Sequence, residues 1–121
     1  MEPKIGLLPR EYYERAISSL PLVLYDEVWI FSNDRNGAEE LLPGVDSLKL
    51  VWIPETLTSA ETLTLMTYCN DFIISNSTFS WWGAYLNRKS NGVVVCPEKW
   101  FKGAEDPFQI CPPNWVRIPS F

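Results

Sequence analysis

Hydrophobic positions along the chain switch repeatedly between helical and strand spacing. From Pro9, the stretch REYYERAISSL brings Tyr12, Ala16, Ile17 and Leu20 near one helical face, with Pro21 as a stop. YDEVWIFS, residues 25–32, alternates and is rich in β-formers, which predicts a strand ending at the polar turn Asn33-Asp34-Arg35-Asn36-Gly37. A short helix over Ala38–Leu42 follows and stops at Pro43-Gly44, and Leu48–Ile53 reads as the next strand, ended by Pro54-Glu55. Ser59–Cys69 has the pattern of a helix with Ser59 as N-cap and Thr62 at the third helical position, where a capping box takes Glu or Gln. Leu63, Met66 and Thr67 are then expected to face the sheet. Asp71–Ser75 is a predicted strand, Thr78–Asn87 a helix, and Gly92–Cys96 a fourth strand halted by Pro97.

Strand starts thus recur roughly every 20 to 25 residues with a helix between each pair, the period of βα units rather than of a sequence repeat. The predicted fold class is α/β. Short apolar strands joined through helices imply a parallel sheet with right-handed crossovers, and ligands bind beyond the carboxyl ends of such strands. Those ends carry Ser32-Asn33-Asp34, Pro54-Glu55, Ser75 to Thr78 and Pro97-Glu98-Lys99, so the polar clusters are expected on one rim. The tail from Trp100 to Phe121 is proline-rich and reads as loop. Its Trp100, Phe101, Phe108 and Trp115 predict a segment that wraps back on the domain rather than a free linker.

A chain of 121 residues has room for one core and not for two substantial ones. With 46% hydrophobic and 21% charged residues it has the composition of a globular domain. The six tryptophans read first as core and rim. A net charge of −5 argues against a phosphate-backbone footprint, so nucleic acid is not an expected partner, although a few donors in one cleft can hold a small phosphorylated ligand. Cys69, Cys96 and Cys111 lack metal-ligand spacing, and an odd number cannot pair off completely, so a reduced compartment is the simpler expectation. The chain contains no His, which removes histidine general-base chemistry and His-ligated zinc from what it does on its own. Residues Met1 to Arg10 are broken by Pro3, Gly6 and Pro9 and do not resemble a signal peptide or membrane span.

The most distinctive stretch is DFIISNSTFSWWGAYL, residues 71–86, where a short apolar strand runs into a hydroxyl-and-amide cluster that opens a helix. Ser75, Asn76, Ser77, Thr78 and Ser80 supply side-chain donors where the first helical N–H groups lack partners and the helix dipole is positive. An anion site and an N-cap at Ser75 or Asn76 are both open readings, but five small polar groups in six residues exceed what capping needs. Asn76-Ser77-Thr78 is also an N-glycosylation sequon, read as coincidental between a buried strand and a helix.

Taken together, EYYERAI, VWIFSND, ETLTLMTYC, FIISNSTFSWWGAYLN, VVVCPEKWF and PPNWVRI resemble the C-terminal part of family 11 glycosyltransferases, the α-1,2-fucosyltransferases, over nearly the whole chain. The resemblance implies a GT-B architecture in which residues 1–121 form a partial Rossmann-like domain that binds the nucleotide sugar GDP-fucose, with its first strand and the acceptor domain absent. It implies fucose transfer with inversion to the 2-hydroxyl of a terminal galactose in a glycan acceptor, without a metal or other cofactor. Positive side chains and helix N-termini would then stabilise the leaving diphosphate.

The resemblance gives Ser75, Asn76, Ser77, Thr78 and Ser80 the role of donor-phosphate contacts, with Phe79, Trp81 and Trp82 packing the helix beneath. Asp34 stands beside Asn33 where the family tends to have paired Asp; guanine or ribose recognition and a polar turn both remain open for it. Glu61 is a candidate for the ribose or a first-turn residue favoured by the dipole. Lys99 is open between a diphosphate contact and a solvated lysine. The family's basic motif, a His followed by paired Arg and an Asp, is absent, and no residue here is assigned as catalytic. The expectation is therefore the donor-binding piece of a fucosyltransferase, inactive alone. A non-catalytic sugar-nucleotide module or degenerate paralogue is the alternative, and a structural partner completing its site with another chain is the third reading. The compartment follows the organism: cytoplasmic or membrane-peripheral in a bacterium, Golgi membrane in a eukaryote.

Overall fold

The computed structural model describes residues 8–20, 25, 27–41, 50–87, 92–106 and 109–121, with Leu41 described by its backbone alone. Its elements are α1 (Arg10–Ser18), β1 (Val28–Ile30), α2 (Arg35–Leu41), β2 (Leu50–Trp52), α3 (Ser59–Met66), β3 (Phe72–Ile73), α4 (Thr78–Tyr85), β4 (Val94–Pro97) and β5 (Val116–Ile118). The expected stops at Pro21 and Pro43-Gly44, the strand start at Leu48, the helix end at Leu42, and Pro107 and Phe108 of the tail lie outside the described residues.

Every strand pair is parallel, so the α/β class holds. In place of one sheet, the described residues form two, β1–β2 and β3–β4–β5. The register sets Trp29 opposite Val51, Ile73 opposite Val95, and Val95 opposite Val116. A fifth strand corrects the reading of the tail as loop. Pro112 accepts the Trp115 N–H at 3.1 Å, and this turn feeds Val116–Ile118 alongside β4, where Ile118 accepts the Glu98 N–H at 2.8 Å. Three residues flanked by prolines are too short for their alternation to stand out.

Helix α1 begins after Pro9, whose fixed φ suits a helix entry. It buries Tyr12 and Ala16 fully against Leu8 and Val95, with Ile73 and Ile118 packed alongside. Burying a ring of this size contributes about 2–3 kcal/mol. The Tyr12 hydroxyl donates to the carbonyl of Ile74 at 2.5 Å, which ties α1 to the end of β3. A second cluster gathers Ile74, Ala84, Cys96, Trp100, Cys111 and Trp115, with Trp81 packed against it, so the tail does fold back as core. Among the described residues no disulfide joins Cys69, Cys96 and Cys111.

Helix α3 starts one residue earlier than its sequence suggests. Thr58, not Ser59, is the N-cap: its hydroxyl accepts the Glu61 N–H at 3.1 Å and its own N–H donates to Glu61 Oε1 at 2.9 Å, a complete capping box. Likewise α2 begins at Arg35 rather than Ala38, because Asp34 Oδ1 accepts the Gly37 N–H at 3.1 Å and starts the turn. Helix α3 packs on α4, burying Met66 and leaving Thr67 exposed instead of facing a sheet. A Cβ on Gly83 would run into the Met66 thioether, so a side chain there would force Met66 to shift.

Candidate functional site

The turn between β3 and α4 is built from both ends. On the strand side, Ile74 donates its N–H to the Val95 carbonyl at 2.9 Å and accepts the Tyr12 hydroxyl, which fixes the last residue before Ser75. On the helix side, Ser77 takes an extended conformation, φ −122° and ψ 131°, and its hydroxyl accepts the Ser80 N–H at 3.4 Å. Ser77 is therefore the N-cap of α4, a role the sequence reading gave to Ser75 or Asn76. Ser75 and Ser80 bring their hydroxyls to 3.5 Å across the turn.

The five polar residues divide by direction. Asn76 is only 9% exposed and turns inward, donating to the Trp100 carbonyl at 3.2 Å and so joining the turn to the loop after β4. Thr78 is exposed, and its hydroxyl makes no hydrogen bond among the described residues. The N–H groups of Thr78 and Phe79 also lack hydrogen-bond partners among the described residues, as expected for the first turn of a helix. Together they present donors and a positive dipole end to whatever occupies the rim.

The aromatics behind the turn do not all pack as expected. Trp81 is half-buried, stacks on Tyr85 with centroids 4.8 Å apart, and donates its indole N–H to the Ile110 carbonyl at 2.9 Å. Phe79 and Trp82 are 37% and 48% exposed.

Asp34 and Glu61 lie after the carboxyl ends of β1 and β2, and neither hydrogen-bonds to the Ser75–Ser80 turn. Asp34 is exposed and holds the start of α2. Glu61 is committed to its capping box, and the Thr58 N–H and hydroxyl hold its carboxyl below the ordinary range. Lys99 has its backbone clamped by Ser120, which accepts the Lys99 N–H and donates to the Lys99 carbonyl, both at 2.9 Å. Its side chain is exposed and forms no ion pair among the described residues.

A cavity of about 180 Å³ beyond β4 was missed by sequence reasoning. It is lined by Glu98, Trp100, Asp106, Gln109, Cys111 and Arg117 among others. Two of its charged walls, Arg117 and Asp106, are already engaged. Arg117 donates to the carbonyls of Cys111 at 2.7 Å and Trp115 at 3.2 Å, and Asp106 accepts the N–H groups of Trp100 at 3.0 Å and Phe101 at 3.3 Å. The only advance signal was the Val116-Arg117-Ile118 run inside the tail. Among the described residues, no group of three His, Cys, Asp or Glu is arranged to hold a metal ion, and no helix is long and apolar enough to cross a membrane.

Parallel strands joined through helices, with a hydroxyl-lined turn at the carboxyl end of β3, define an α/β domain. Residues 9–119 match glycosyl transferase family 11, and the chain belongs to that family. It is 38% identical over 114 residues to the O-antigen biosynthesis glycosyltransferase WbnK of Escherichia coli, covering 93% of this chain and 37% of that protein. It is 34% identical over 119 residues to an α-1,2-colitosyltransferase of Escherichia coli, covering 93% of this chain and 40% of the relative. The chain thus spans about two fifths of the length of these relatives. No solved structure matches it.

Proposed function

We propose that this chain is the donor-binding portion of a GT-B glycosyltransferase that moves fucose from GDP-fucose to the 2-hydroxyl of a terminal galactose, with inversion and without a metal. The observation that carries the reading is the Ser75–Ser80 turn. It has a rigid strand on one side, a capped helix on the other, and the Thr78 hydroxyl with two helical N–H groups unspent between them. As the bond to the sugar breaks, negative charge grows on the diphosphate. Preorganised N–H and hydroxyl donors at a helix N-terminus stabilise that charge more than they stabilise the ground state. Lys99, with its backbone pinned and its ammonium group in no ion pair among the described residues, is a second candidate for the same charge. The acceptor site and the remaining diphosphate contacts belong to the parts of the family fold that this chain does not span, so the chain alone binds donor without turnover.

Calorimetry tests the reading. GDP and GDP-fucose are expected to give binding heat and UDP-sugars none. Thr78→Ala should weaken GDP about tenfold, or about 1.4 kcal/mol, while guanosine changes less than twofold. No heat with GDP, or equal losses for GDP and guanosine, would refute it. The α-1,2-colitosyltransferase relative supports a second reading in which the transferred sugar is colitose. Titration with fucosyl and colitosyl donors in turn distinguishes the two.

A further inference from the structure

The tail folds two cysteines against each other. Cys96 on β4 and Cys111 in the loop before β5 lie in one buried cluster with Trp100 and Trp115. Strand register explains the meeting. Cys96 stands opposite Arg117 of β5, and Arg117 reaches back to the Cys111 carbonyl at 2.7 Å, which holds the loop against β4. The Cys96 thiol donates a hydrogen bond to the Cys111 sulfur. Cys69, half-buried just after α3, is not in this cluster.

The two thiols differ in access and in charge. Cys96 is 0% exposed and does not line the cavity beyond β4. Cys111 does line it, beside Trp100, and three other wall residues, Glu98, Gln109 and Arg117, are exposed, so a small solute reaches Cys111 from solvent. A space of about 180 Å³ holds several water-sized molecules and is ample for a peroxide. The hydrogen bond from Cys96 holds the Cys111 thiol below the ordinary range, aided by the Arg117 guanidinium and opposed by burial and Asp106. The same hydrogen bond, then burial, keeps Cys96 protonated. Thiolate at the open position and thiol behind it is the arrangement of an attacking and a resolving cysteine.

We propose that Cys111 is a site of oxidation by hydroperoxides and that Cys96 resolves it into an intramolecular disulfide. The Cys111 thiolate attacks one peroxide oxygen, the O–O bond breaks, and the departing hydroxide takes up a proton and leaves as water. Peroxide is thereby reduced by two electrons and Cys111 becomes a sulfenic acid. The Cys96 sulfur then attacks the Cys111 sulfur, the S–O bond breaks, and the departing hydroxide carries off the Cys96 proton. Two thiols and one peroxide thus give one disulfide and two waters, and a dithiol reductant reverses the change by exchange. An S–S bond of ~2 Å is shorter than any thiol hydrogen bond, so closure draws the loop at Cys111 toward β4. The neighbouring Ile110 carbonyl holds the Trp81 indole of α4 at 2.9 Å, and closure is therefore felt in the helix that carries the Ser75–Ser80 turn.

The test is treatment of the reduced chain with hydrogen peroxide, followed by alkylation of remaining thiols in denaturant and peptide mass analysis. In the folded chain the Cys96–Cys111 link should exceed either link to Cys69 by at least ~10-fold and disappear with dithiothreitol. Loop length alone favours it by only about two- to fivefold in an unfolded chain, so oxidation in urea should give that lower ratio. Cys96→Ser should halt at a Cys111 sulfenic acid that dimedone traps, and Cys111→Ser should leave Cys96 reduced. Should either variant misfold, the ratio in the parent chain decides alone. The Trp81 indole proton resonance should move on oxidation and return on reduction. A ratio no higher folded than in urea, oxidation of Cys111 to sulfinic acid without a link, or oxidation of Cys96 in folded Cys111→Ser would each overturn the proposal. A Trp81 resonance that stays in place while the link forms would overturn the transmission to α4. None of these readouts uses nucleotide, so they stand or fall apart from the proposed function.

Discussion

Replacing Tyr12 by Phe removes one oxygen from a fully buried ring and tests how the Ser75–Ser80 turn is held in place. The hydroxyl donates to the Ile74 carbonyl at 2.5 Å, and Ile74 is itself 3% exposed, so no water replaces the lost donor. The net value of such a bond is about 1 kcal/mol, and a desolvated acceptor left unsatisfied adds a similar amount, for a total of ~2 kcal/mol. In a domain of this size that corresponds to a fall in Tm of roughly 6–10 °C. Urea unfolding should show a lower midpoint with an unchanged slope, because the ring still fills its place and the surface exposed on unfolding is the same. Tyr13→Phe is the control, since the Tyr13 hydroxyl has no hydrogen bond among the described residues and its loss should cost under ~0.5 kcal/mol. Burial, then the neighbouring Cys96, holds the Tyr12 phenol far above the ordinary tyrosine range, so its tyrosinate absorbance should appear only on unfolding. A Tyr12→Phe loss no larger than that of Tyr13→Phe would refute the anchoring role.

Three further outcomes are expected. Gly83→Val should destabilise by ~1–3 kcal/mol, because its side chain meets the Met66 thioether where α3 and α4 touch; a melt within 2 °C of the parent would contradict this contact. Glu61→Gln keeps an oxygen for the Thr58 N–H and should leave GDP affinity within twofold, whereas a large loss would identify Glu61 as a donor-binding residue. Burial, then its hydrogen bond to Asp71, pushes the Tyr25 phenol up to about 12 from an ordinary 10.0. The unfolded chain therefore releases this proton first, and the Tyr25 contribution is complete below pH 10 and is lost as pH rises through 12. Urea midpoints at pH 9 and 11 should fall less steeply for Tyr25→Phe than for the parent, and equal slopes would count against the bond.

The sequence by itself determined what depends on neighbours along the chain. The 3.6-residue spacing of Tyr12 and Ala16, the β-forming VWI and VVVC runs, and the strand-to-helix switch at Ser75 to Thr78 specified helices, strands and the α/β class. The order of its motifs pointed to the family to which the chain belongs. Cap positions slipped by a residue because Thr58 and Ser59 are both good caps, and only the reach of the Glu61 carboxylate chooses between them. What the tertiary structure alone decided depends on residues far apart in the chain. Asn76 turns inward because Trp100 offers a carbonyl 24 positions away. Arg117 is spent on the loop before its own strand, and Val116–Ile118 becomes a strand because β4 presents an open edge to it. The same reason separates Thr78 from its neighbours. Local sequence made five residues equivalent candidates, and long-range hydrogen bonding and burial left Thr78 and its adjoining N–H groups facing the rim.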